Sequence, residues 1–235
     1  KVVGVTEYCN YPRAALSVTK IGDFQSINLE KVIYLKPDII FATAGLQLPL
    51  VRQLESNGLT VVILDAKTID DVYRQIALVG AICAVEKKAS SLVKEIKTTI
   101  REVRLKVSGQ SKRPKVFFEV FGDPLYTAGR NSFIHDLIEN AGGINIAGGI
   151  DQDYPIFNVE ALLAAQPDIY LTYSHNTVKT VDEMMKRPGY AQLKCLKENK
   201  LYFLDSDIIS RPGPRIGMAV LAMAKIFYPE LWAGE

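Results

Sequence analysis

Short runs rich in apolar and β-branched residues alternate with amphipathic stretches along the chain. Val2–Thr6, Asp38–Thr43, Thr60–Asp65, Lys115–Phe121, Asp168–Tyr173 and Lys200–Leu204 read as strands. Between them lie helical patterns such as Leu48–Asn57, stopped by Gly58, and Ser132–Ala141, stopped by Gly142-Gly143. Strands apolar on both faces, each followed by a helix, imply parallel sheets covered on both sides. The expected fold class is α/β.

One segment occurs twice. Asn28-Leu29-Glu30-Lys31-Val32-Ile33-Tyr34-Leu35-Lys36-Pro37-Asp38-Ile39-Ile40 runs parallel to Asn158-Val159-Glu160-Ala161-Leu162-Leu163-Ala164-Ala165-Gln166-Pro167-Asp168-Ile169-Tyr170, at a constant offset of 130 residues. Each copy reads as a short helix capped by Asn, a Pro-Asp turn and a buried strand, with Glu in the first turn where the helix dipole favours an anion. A repeat at about half the chain length predicts two similar lobes.

Between the copies lies the longest helical pattern, Val85 to Val107. Ala89, Leu92, Val93, Ile96, Ile100, Val103 and Val107 form its apolar stripe. At about 1.5 Å per residue it spans roughly 33 Å, more than a crossover inside one small lobe needs. The predicted organisation is therefore an N-terminal Rossmann-like lobe over residues 1–84, a rigid connecting helix over 85–110, and a second such lobe over 111–235. A ligand cleft is expected between them. The alternative is one continuous sheet with an overlong crossover.

Composition narrows the function. Twenty-eight basic and 26 acidic residues leave a net charge of +2, which gives no electrostatic reason to expect nucleic acid. No run reaches the roughly 18 apolar residues of a membrane helix. Cys9, Cys83 and Cys195 are far apart, and Cys83 lies on an apolar helical pattern that predicts a buried, inert thiol. Neither a dinucleotide-binding nor a P-loop glycine pattern is present, and no nucleophile elbow. An enzyme is not indicated, nor a catalytic cofactor. Lys1 opens almost directly onto an apolar run, so an upstream segment is expected to have been lost.

Several segments carry a family resemblance. Val3-Gly4-Val5-Thr6-Glu7-Tyr8-Cys9-Asn10-Tyr11-Pro12 resembles the opening of the N-terminal cleft in helical-backbone substrate-binding proteins of metal-chelate ABC importers. Gly122-Asp123-Pro124-Leu125-Tyr126-Thr127-Ala128-Gly129-Arg130-Asn131-Ser132-Phe133-Ile134, then Ala141-Gly142-Gly143-Ile144-Asn145-Ile146-Ala147, resembles its C-terminal counterpart. Arg211-Pro212-Gly213-Pro214-Arg215 resembles the start of the last helix. The segments are most similar to those of cobalamin-binding members, on a scaffold that also serves haem and ferric siderophores. The resemblance implies an extracytoplasmic, monomeric receptor, periplasmic or lipid-anchored, that delivers a chelate to an ABC permease dimer. That family begins with a further strand and helix, which the N-terminal lobe is expected to lack here. A nitrogenase-like metallo-enzyme subunit is the alternative of another class; it would require cluster-ligating cysteines, and only Cys9 is suitably placed.

Candidate contacts follow from position. Ligands in parallel α/β sheets meet the loops at the carboxyl ends of strands. Tyr8 follows the first predicted strand and matches a cleft tyrosine of the cobalamin binders. Phe24 and Tyr154, each four residues before a repeat asparagine, are placed to sandwich a flat macrocycle, although the family often has tryptophan at both positions. Phe121 ends a strand. Asp207 and Arg211 either reach the ligand rim or pair with each other. Glu30 and Glu160 match the family's permease-docking glutamates, and each also suits a helix N-terminus. His175 closes a strand and is a candidate axial ligand to a haem or corrinoid metal. His135, with Glu139 one turn on, reads as a surface histidine with metal-holding geometry as the other option.

Overall fold

The computed structural model describes residues 1–234, the side chain of Leu46 excepted. The chain forms two compact units, Lys1–Asp65 and Ala66–Glu235.

In the first unit, α1 (Leu29–Tyr34) precedes β1 (Ile40–Thr43), and α2 (Leu48–Ser56) precedes β2 (Val61–Leu64). The two strands are parallel, in register from Ile40 with Val61 to Thr43 with Leu64. Val32 of α1 and Val51 and Leu54 of α2 are buried, whereas Phe41 and Ile63 of the strands are exposed. Strand side chains alternate between faces, and this sheet is therefore not covered on both, contrary to expectation. Val2–Thr6 does not form the expected strand either. Only Val5 pairs, through a single parallel bridge to Lys20. An apolar run becomes a strand only where a neighbour continues the ladder, and here the ladder stops after one rung.

The second unit opens with α3 (Ile69–Ile82) and α4 (Glu86–Val107). The expected long helix is present to within one residue at its start, and its stripe at Ala89, Ile96, Ile100, Val103 and Val107 is buried. The α3 and α4 helices meet closely at Gly80, where an added Cβ would lie 2.4 Å from that of Ala89. Then follow β3 (Lys115–Gly122), β4 (Leu125–Thr127), α5 (Phe133–Asn140), β5 (Ile144–Asn145), α6 (Val159–Ala165), β6 (Ile169–Tyr173), α7 (Val181–Met185), α8 (Lys194–Lys197), β7 (Leu201–Leu204), α9 (Ser206–Ile209) and α10 (Ile216–Phe227).

The sheet runs β4-β3-β6-β7 with β5 beside β3. Only β4 is antiparallel. Alternation along β3 and β6 separates two cores. Val116, Phe118, Ile169 and Leu171 join residues of α4, α5 and α10 on one side. Phe117 and Tyr170 join Leu162, Met184 and Leu196 on the other. This sheet is covered on both faces, as predicted.

The repeat holds in detail. Asn28 caps α1 by accepting from the Lys31 amide at 2.8 Å, and Asn158 caps α6 by accepting from the Ala161 amide at 3.1 Å. Val32 and Leu162, offset by the same interval, are each the one buried residue of their helix. Both copies then pass through a non-glycine residue at positive φ, Lys36 at 46° and Gln166 at 42°. The left-handed residue turns the chain into Pro-Asp and the next strand.

Candidate ligand-binding site

A cavity of about 660 Å³ opens in the second unit at the carboxyl ends of β3 and β6. Phe121, Tyr173, His175, Asn176, Arg187 and Tyr190 line it, with Val120, Leu125, Val159 and Pro188 adding apolar wall. This is the size and chemistry of a pre-formed small-molecule site, chiefly apolar with a few fixed polar groups. The His175 imidazole stacks on Tyr173, which in turn meets Phe118 edge-on. Burial pushes the Tyr173 hydroxyl well above the usual phenol range, with Tyr154 adding to the shift. Tyr173 therefore stays a neutral phenol.

Behind the cavity wall lies a buried carboxylate. Glu119 sits within the apolar run of β3 and is 0% exposed. Its Oε1 accepts from Asn176 Nδ2 at 2.6 Å, and its Oε2 accepts from Arg187 Nη1 at 2.6 Å and from the Tyr170 hydroxyl. The Asn176 amide also donates to Thr172 Oγ1 at 2.8 Å. Its Oδ1 accepts from the Val178 amide, which fixes the loop after β6. Burial and the adjacent carboxylate raise the Tyr170 hydroxyl well above its ordinary range. Burial works against the charge of Arg187, but the hydrogen bond and charge of Glu119 more than offset it. A buried carboxylate needs such partners, since an unpaired one is costly.

Of the sequence-predicted contacts, Phe121 and His175 line this cavity. Tyr154 is 47% exposed and lies in a loop zipped onto the segment after β4. The amides of Thr127, Gly129 and Arg130 donate to the carbonyls of Pro155, Asp153 and Ile150 at 3.0, 2.9 and 2.8 Å. In the first unit, Phe24 is 39% exposed. Its carbonyl accepts from Gln47 Nε2 at 2.8 Å, while Gln47 Oε1 accepts from the Thr43 amide at 2.8 Å, tying Phe24 to the end of β1. Tyr8 is also exposed. None of these aromatics is core packing.

Asp207 and Arg211 form an ion pair, and the Asp207 carbonyl accepts from Arg215 Nη2 at 2.6 Å. Glu30 and Glu160 are exposed in the first turns of α1 and α6.

Two expectations are corrected. His135, expected at the surface, is half-buried. His135 Nδ1 lies 3.2 Å from Asn145 Nδ2, and Glu139 pairs with Arg113 at 2.6 Å. Among the described residues no group of three His, Cys, Asp or Glu is arranged to hold a metal ion. Cys83 is exposed rather than buried, because it is the C-cap of α3 and lies past the last packed turn; the buried thiol is Cys195. Sequence reasoning also missed Glu119, Arg187, Asn176 and Tyr173. The available signal was a glutamate inside the apolar run of β3.

Known proteins share this fold. The chain is 34% identical over 98% of its length to an ABC transporter substrate-binding lipoprotein of Bacillus subtilis, covering 74% of that protein. It is 27% identical over 92% of its length to a vitamin B12-binding protein of Vibrio cholerae, covering 77% of it. The structure of S. aureus IsdE in complex with haem superposes with a TM-score of 0.83 at 25% identity, over 97% of this chain and 92% of that one. No described helix is long and apolar enough to cross a membrane. The model of the periplasmic binding protein family matches residues 1–208, and the chain belongs to that family, the extracytoplasmic substrate-binding proteins of ABC importers.

Proposed function

We propose that this protein captures a large metal chelate, a cobalamin-type corrinoid in the first place, and delivers it to an ABC permease dimer. The observation that carries this reading is the cavity at the ends of β3 and β6, apolar over most of its wall and bounded by Phe121, Tyr173 and His175. Aromatic faces contribute large contact area at low entropic cost, which suits a broad macrocycle. Tyr8, Phe24 and Tyr154 are exposed without being part of a core, and this reading assigns them to ligand contact. Asp207 and Arg211 are assigned to its polar rim. Glu30 and Glu160 are assigned to the permease, one per subunit. The receptor works as a monomer and performs no chemistry on its cargo. The similarity to a vitamin B12-binding protein supports the corrinoid.

Haem or a ferric siderophore is the second reading. It is favoured by His175, an exposed imidazole lining the cavity and placed to approach a metal, and by the likeness to a protein solved with haem. Titration with cyanocobalamin, haemin and a ferric siderophore, followed by absorbance, separates these readings. Submicromolar binding of cyanocobalamin is expected. Tight binding of haemin alone would replace the corrinoid with haem.

A further inference from the structure

The Glu119–Arg187 pair is unusual in where its two halves lie. Glu119 is 0% exposed and has both oxygens occupied by Tyr170, Asn176 and Arg187. The Arg187 side chain is 21% exposed and lines the cavity. The guanidinium is held on three sides. Nη1 donates to Glu119 at 2.6 Å, and the guanidinium carbon stands 5.5 Å from the centre of the Tyr190 ring. Gly122 lies close on the third side, where an added Cβ would come within 2.6 Å of Nη2. The other ionisable groups on the cavity wall are Asp123, exposed at the rim, His175, Tyr173 and Tyr190. A buried pair that served packing alone would be matched or bettered by apolar residues of similar volume. A cation anchored from behind by a buried carboxylate, and lying in a mostly apolar wall, has the form of a pre-organised anion receptor. The fork of an arginine offers several donors; one serves Glu119 and another the Tyr190 hydroxyl, which leaves the remaining N–H groups for a ligand.

We propose that Arg187 is a specificity-determining residue of this cavity. It receives an acidic arm, a carboxylate projecting from the rim of the chelate, while Glu119 acts as its positioning residue. This rests on the chelate-capture reading and deepens it by naming a chemical feature of the ligand. The class is defined by the anionic arm and holds for a tetrapyrrole bearing propionates or a corrinoid bearing a free side-chain acid.

The test compares acid and neutral forms within each series, which keeps size and metal constant. The probes are haemin against its dimethyl ester, and the monocarboxylic acid of cyanocobalamin against cyanocobalamin itself. A charge-assisted hydrogen bond at a partly desolvated site is expected to favour the acid about tenfold to a hundredfold in Kd. The Arg187→Met, Glu119→Gln double variant leaves no buried charge unpaired and so guards against unfolding. In it the preference is expected to fall below about threefold. Arg187→Lys is expected to restore part of it, because the charge remains while the fork is lost. Equal binding of acid and neutral forms by the wild type, or an undiminished acid preference in the double variant, would overturn the proposal and leave chelate capture standing. Binding of none of the four probes, with no binding of a ferric siderophore either, would overturn both.

Discussion

The imidazole of His175 lies flat on the ring of Tyr173, with centroids 5.0 Å apart and planes 14° from parallel. Tyr173 is buried and fixed by the sheet, whereas His175 is exposed to the cavity. The stack therefore presents one imidazole face or edge to whatever enters. His175→Ala is expected to weaken chelate binding about fivefold to tenfold, the scale of one aromatic contact. Calorimetry reads the change. A loss beyond a hundredfold would indicate metal coordination in place of stacking.

Gly129 controls the loop that carries Tyr154. A Cβ there would lie 2.2 Å from the Gln152 carbonyl oxygen and 3.1 Å from that of Ile150. Both contacts are backbone and cannot swing aside as a side chain would. Gly129→Ala is expected to cost about 1–3 kcal/mol, as overpacking does. It should also lower chelate affinity by displacing Tyr154. Denaturant unfolding and ligand titration of the same variant check the two effects.

Cys195 gives the fold a pH signature. Burial, above all, pushes its thiol up to about 11, with the charges of Glu198 and Asp168 adding to the shift and backbone hydrogen bonds opposing it. The folded state thus holds the proton more tightly than the unfolded chain. The associated stability is complete below the ordinary thiol value of 9.0 and is lost as pH rises through about 11. Cys195→Ala should lose less thermal stability than wild type between those limits. In the native protein at neutral pH a thiol reagent should label exposed Cys83 and spare Cys195.

Glu30 and Glu160 occupy equivalent first-turn positions in the repeat, exposed on α1 and α6. Replacing either with Ala removes a favourable helix-end charge worth a few tenths to about 1 kcal/mol, and the fold should tolerate this. Docking assigns them a larger effect elsewhere. The double variant should bind chelate as wild type does yet fail to support uptake through the cognate permease. Normal uptake would mean that the two glutamates only stabilise their helices.

Much of the fold was legible because it rests on local chemistry. Asn28 and Asn158 cap where capping residues should, and the left-handed Lys36 and Gln166 confirm that the repeat is a repeat of backbone path. The long helix could be read from its apolar stripe. Pairing is less visible in a single sequence. Val2–Thr6 has the composition of a strand but only one rung of ladder. Cys83 belongs to the apolar period of α3 but falls at its C-cap, where the period no longer faces a neighbour. The site divided along the same line. Phe121 and His175 were found by their places at strand ends. Arg187 lies after a short helix with no periodic signal, and its importance depends on Glu119, 68 residues away.

The central claim is that an aromatic-walled cavity in the second unit seats a metal chelate. Calorimetric titration of wild type and of Phe121→Ala with whichever chelate wild type binds most tightly tests it most directly. Phe121 is exposed at the end of β3, so its loss should leave the unfolding temperature nearly unchanged. The account predicts submicromolar binding by wild type and at least a tenfold loss in the variant, about 1.4 kcal/mol or more. Identical affinities, or no chelate bound by wild type at any attainable concentration, would contradict it.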